Sequence, residues 1–84
     1  MVEENVVVTD PHGLHARPAA EFVKAAQQFQ AEVTVKKSGR NANAKSLISI
    51  LSLGIDQGSA ITINADGPDE TKAVQTLKAL VNPD

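Results

Sequence analysis

The chain has no cysteine, tryptophan or tyrosine, and its aromatic residues are two phenylalanines, Phe22 and Phe29. Without cysteine there are no disulfides and no thiolate metal ligands, so stability must come from packing. That absence is compatible with a reducing cytoplasm. Positive charge is not in excess either: eight Lys and Arg stand against ten Asp and Glu, a formal net charge of −2. Direct nucleic-acid binding leans on a basic excess and is not expected. No run approaches the roughly 20 consecutive apolar residues that span a bilayer, so membrane insertion is not expected. The opening Met-Val-Glu-Glu-Asn is acidic and lacks the basic and apolar regions of a signal peptide. Together these absences point to a cytoplasmic protein.

What is present suits one small folded domain over residues 1–84. The chain is 42% hydrophobic, enough to build a core in a domain of this size. Residues 2–9 contain Val6, Val7 and Val8, a β-branched run that reads as a buried strand. Asp-Pro-His-Gly at 10–13 is a turn. A first helix follows, with Ala19, Phe22, Val23 and Ala26 at the i, i+3, i+4, i+7 spacing of one buried face. Pro18 fits its first turn, where a missing N–H costs nothing. Phe22 and Phe29 are read as core.

Residues 32–37 alternate, with Val33 and Val35 inward, as a second strand. Ser38-Gly39 is a tight turn into a weak third strand at 40–44, with Ala42 inward. A short second helix spans 47–53, opened by Lys45-Ser46 and ended by Gly54. Residues 60–65 alternate again as a fourth strand. Gly67-Pro68-Asp69 stops it and caps a third helix with the stripe Ala73, Val74, Leu77, Leu80 and Val81. Residues 82–84 are expected to fray. The order is βαββαβα. Amphipathic helices with one apolar face each are best buried together on one face of an antiparallel sheet, which makes an α+β open-faced sandwich.

Residues 13–20, Gly-Leu-His-Ala-Arg-Pro-Ala-Ala, are where chemistry is expected. His15 falls at the mouth of the first helix, whose opening N–H groups have no intrahelical partner. Those donors and the positive end of the helix dipole favour an anion and disfavour imidazolium, leaving His15 neutral and nucleophilic. Arg17 adds a permanent charge and forked donors suited to phosphate oxygens. Each helix-end contribution is only about 0.3–1 kcal/mol, which suits a group that must also be released. Asp10, His12 and His15 are spaced Asp-x-His-x-x-His, but two histidines across a turn without a third firm ligand do not make a metal site. No metal and no cofactor are expected.

The motif at 13–20, together with Lys-Ser-Leu-Ile-Ser-Ile-Leu-Ser-Leu-Gly-Ile at 45–55 and Ile-Thr-Ile-Asn-Ala-Asp-Gly at 61–67, resembles the histidine-containing phosphocarrier (HPr) family of the bacterial phosphoenolpyruvate-dependent sugar phosphotransferase system. The likeness runs essentially end to end, with one departure at His12, where members usually carry another turn residue. It implies a four-stranded antiparallel sheet in the order 1-4-2-3 with three helices on one face. It also implies a carrier, not an enzyme, that takes a phosphoryl group from enzyme I on His15 Nδ1 and passes it to IIA units of sugar permeases, with Arg17 accompanying the phosphate. In Gram-positive relatives the residue matching Ser46 is phosphorylated by an HPr serine kinase/phosphorylase, and that form partners a catabolite-control transcription regulator.

Ser46 also reads as the N-cap of the second helix, where a phosphate favours the helix, so inhibition would act by placing charge on a docking face. That helix is apolar almost all round and too short to bury every side. With Ile50 and Leu53 inward, Leu47, Ile48 and Leu51 remain as an exposed docking patch. Nothing demands more than a monomer. Two competing readings stand beside this one: a carrier in a nitrogen-related regulatory phosphotransferase chain, and a regulatory binding module without phosphotransfer.

Overall fold

A computed structural model of the chain describes residues 1–11, 13–14 and 16–83, with the side chain of Ala16 left aside. His12, His15 and Asp84 lie outside the described residues. The elements are β1 (Val2–Val7), α1 (Ala16–Ala26), β2 (Glu32–Lys37), β3 (Arg40–Asn43), α2 (Leu47–Ser52), β4 (Ala60–Asp66) and α3 (Glu70–Val81). The strands form one antiparallel sheet in the order β1-β4-β2-β3. This is the open-faced arrangement anticipated above.

Alternation decides which sheet face is dry. Val6 opposite Ile61, Val35 opposite Ile63 and Val33 opposite Ala65 put β-branched and small side chains on one face. There they meet Phe22, Ile50, Leu77 and Val74, all essentially buried. A fully buried side chain of this kind contributes about 1.5–3 kcal/mol against the entropy of ordering the chain. The opposite face is polar and laced across strands: Thr62 Oγ1 donates to Asn5 Oδ1 at 2.8 Å and Asn64 Nδ2 to Glu3 Oε2 at 3.4 Å. Between β2 and β3, Ser38 (φ 51°) and Gly39 (φ 80°) make the left-handed two-residue turn that matches strand twist.

Several local expectations are corrected by tertiary contacts. The valine run is not buried throughout, because pleating sends Val7 outward (51% exposed) between buried Val6 and Val8. β1 stops at Val7 because the chain then turns to α3, where Thr9 N–H donates to Val81 O at 2.9 Å. β3 ends at Asn43, since the Ser46 amide takes the Asn43 carbonyl at 3.0 Å and bends the chain into α2. Leu80 is outside the buried stripe of α3, at 42% exposed, while Leu77 and Val81 point inward. Phe29 is only partly buried against the core. Asn82 does not fray: its side-chain amide donates to Val7 O at 3.0 Å.

Asp69 begins α3 but makes no side-chain cap bond there. Its carboxylate reaches across to accept the amides of Gln30 and Ala31, each at 2.9 Å, tying the α3 entrance to the start of β2. The Gln30 amide first, and that of Ala31 after it, hold the Asp69 carboxyl below its ordinary value, with the Lys45 ammonium adding to the effect. The α3 entrance is closed instead by Glu70, whose Oε1 accepts the Gly67 amide at 3.2 Å.

Candidate functional site

The segment leading into α1 is held from several sides. Gly13 N–H donates to Asp10 O at 2.9 Å, closing a turn, and Gly13 itself takes φ +60°. A side chain is excluded there twice over: the left-handed backbone disfavours it, and a Cβ would meet Ile55 O and come within 2.8 Å of Asp56 Cα. Leu14 follows with its side chain buried in the core and its N–H on Ile55 O at 2.9 Å. Gly58 N–H donates to Val8 O at 2.7 Å and Gln57 Nε2 to Thr9 O at 3.3 Å, so the 55–58 turn is laid along the approach to α1.

α1 starts at Ala16. Pro18 stands in the first turn and has no N–H, so the amides of Ala16 and Arg17 are the helical donors that the geometry leaves without a carbonyl four residues back. Arg17 is exposed in that turn, and among the described residues it forms no ion pair with Glu21. The surface therefore offers amide dipoles and a guanidinium together, a setting for an anionic group. His15, the residue assigned the chemistry, and the His12–His15 pair weighed as metal ligands lie outside the described residues.

The second motif builds α2. Ser46 is its N-cap in extended conformation, with Oγ accepting from Ser49 N–H at 3.4 Å. Ser46 O accepts the Ile50 amide at 3.1 Å. Ile50 and Leu53 are buried, whereas Leu47 is 39%, Ile48 81% and Leu51 40% exposed. One short helix thus leaves three large apolar side chains in water. Among the described residues, a groove of about 510 Å³ lies beside Glu32, Thr34, Asn41 and Asn43 and reaches Lys45 at the start of the second motif, and one of about 280 Å³ lies between Val2 and Gln75.

The family model for the HPr component phosphorylation site of the phosphotransferase system matches residues 2–83. The chain belongs to the HPr family. It is 48% identical over 81 residues to the phosphocarrier protein HPr of Buchnera aphidicola subsp. Acyrthosiphon pisum, covering 96% of this chain and 95% of that one. The crystal structure of an HPr from Bacillus anthracis superposes with a TM-score of 0.95 at 44% identity, covering 96% of both chains. The catabolite-repression protein Crh of Bacillus subtilis, solved as a swapped dimer, is similar at 41% identity and a TM-score of 0.79, over 99% of this chain and 95% of that one. As an HPr-family member, the chain is a phosphocarrier of the phosphotransferase system and not a catalyst.

Sequence reasoning overlooked three features. Asp69 bridges to the start of β2, Glu4 turns inward to pair with Lys78 Nζ at 2.9 Å, and Lys37 reaches the end of α2. None of the three carries a local signal, since each joins residues more than a dozen positions apart.

Proposed function

We propose that His15 carries the phosphoryl group. Its Nδ1 forms the bond to phosphorus as the bond from phosphorus to enzyme I breaks, and the transient phosphohistidine then yields the group to a IIA unit of a sugar permease. Arg17 balances the charge of the phosphoryl oxygens during both transfers. Transfer of this kind passes through a loose transition state, so alignment and charge stabilisation matter more than an acid–base pair. The observation that carries the reading is the match of the HPr phosphorylation-site family over 2–83, with α1 beginning at Ala16 and Arg17 exposed in its first turn.

Leu47, Ile48 and Leu51 form the docking patch for these partners. Ser46, at the edge of that patch, is the site where a serine kinase/phosphorylase adds charge that slows acceptance from enzyme I and recruits a catabolite-control regulator. Residues 1–84 act as one domain in the cytoplasm, as a monomer with no metal or cofactor. Light scattering that finds a dimer, as in the Crh structure, would count against the monomer.

The test compares wild type, His15→Ala and Ser46→Ala as acceptors from enzyme I with phosphoenolpyruvate, and from ATP with the serine kinase. His15→Ala should abolish the acid-labile, base-stable phosphate, and Ser46→Ala should remove only the kinase-dependent one. An acid-labile phosphate surviving in His15→Ala refutes the assignment.

A further inference from the structure

The last carbonyls of a helix lack intrahelical donors and carry its negative pole. At the end of α2 the amides of Leu53 and Gly54 fold back onto Ile50 O and Leu51 O, at 3.2 and 3.3 Å. The carbonyls of Leu53 and Gly54 are met from another element altogether. Lys37, the last residue of β2, places its Nζ 2.8 Å from Gly54 O and 3.4 Å from Leu53 O. One residue on, Ile55 O accepts the Leu14 amide at 2.9 Å. Three consecutive carbonyls are thus divided between an ammonium and the segment that enters α1, with Gly13 packed on the same 55–56 backbone.

We propose that Lys37 is a positioning residue for phosphoryl acceptance. By holding the carbonyls of Leu53 and Gly54 it fixes the turn after α2, and through Ile55 O it fixes Leu14, the residue before the phosphoryl-bearing position in the chain. The role rests on the assignment of His15 as acceptor. A lysine from β2 serves because α2 ends without a basic residue of its own in its last turn. The exposed apolar side chains of α2 take no part in this contact, so alignment and docking separate.

Lys37→Met keeps the aliphatic stem and removes the donors, whereas Lys37→Arg keeps charge and donors. Three readouts apply to both: the thermal midpoint, hydrogen exchange at the Leu14 amide, and steady-state acceptance from enzyme I with this chain as the varied substrate. In Lys37→Met, Leu14 exchange should rise about tenfold as the local tie opens more often. The kcat should fall about three- to tenfold, because small misplacements of reacting groups slow transfer steeply, with KM unchanged within about twofold. Lys37→Arg should restore both. Wild-type kcat and exchange in Lys37→Met overturn the inference, as does a loss that Lys37→Arg shares or one carried by KM. Absence of phosphate on His15 in the wild type would instead refute the acceptor assignment and this role with it, a result distinct from a normal wild type beside an unaltered Lys37→Met.

Discussion

Gly13→Ala puts the two constraints on the site-bearing turn to a quantitative test. At φ +60° an alanine pays the left-handed backbone penalty, about 1–2 kcal/mol. Its Cβ would also press on Ile55 O and approach Asp56 Cα at 2.8 Å, and both are backbone atoms that no rotamer change can move aside. Overpacking of this sort costs a further 1–3 kcal/mol or so. Gly39→Ala supplies the control, since Gly39 sits at φ +80° with nothing within 4 Å of where a Cβ would stand. It should lose only the backbone part, about 1–2 kcal/mol.

Domains of this length are stable by about 4–12 kcal/mol, and each kcal/mol moves the thermal midpoint by about 4–8 °C. Gly13→Ala should therefore melt clearly below Gly39→Ala, by roughly 5–20 °C in a circular-dichroism scan. Phosphoryl acceptance should fall in the Gly13 variant even where it is fully folded, because relieving the clash lengthens the Leu14–Ile55 bond. If the two variants melt together, the close backbone approach at Gly13 has no energetic weight and the argument for a tightly held turn fails.

Two further outcomes follow from other parts of the molecule. Asp69 has a depressed folded pKa, so the stability it contributes is complete above its ordinary value of 3.8 and disappears as pH falls through the lower folded value; Asp69→Asn should be less stable at neutral pH and lose less on acidification, and urea midpoints that shift in parallel from pH 7 to pH 2 would contradict it. Ile48, at 81% exposed, contributes little to the core, so Ile48→Ala should alter stability by under about 0.5 kcal/mol while raising the KM for acceptance from enzyme I several-fold; an unchanged KM would remove Ile48 from the docking patch.

Local pattern carried much of this protein. The period of Ala19, Phe22, Val23 and Ala26 defined the buried face of α1, and the alternation of Val33 and Val35 or Ile61 and Ile63 oriented β2 and β4, because those signals depend only on neighbours a few positions away. The length of α2 and its excess of apolar residues required that some of them stay in water, and with Ile50 and Leu53 taken as inward, Leu47, Ile48 and Leu51 are the exposed ones. Contacts between distant segments were not encoded that way. Asp69 looks like a helix cap in any short window, yet its carboxylate bonds amides 38 and 39 positions earlier, and Lys37 finds carbonyls 16 and 17 positions later. Leu80 fits a helical stripe on paper, yet it lies half in water while its neighbours Leu77 and Val81 are buried. Periodicity states which face of an element is apolar; only the assembled sheet and helices decide what each face, and each polar side chain between them, will meet.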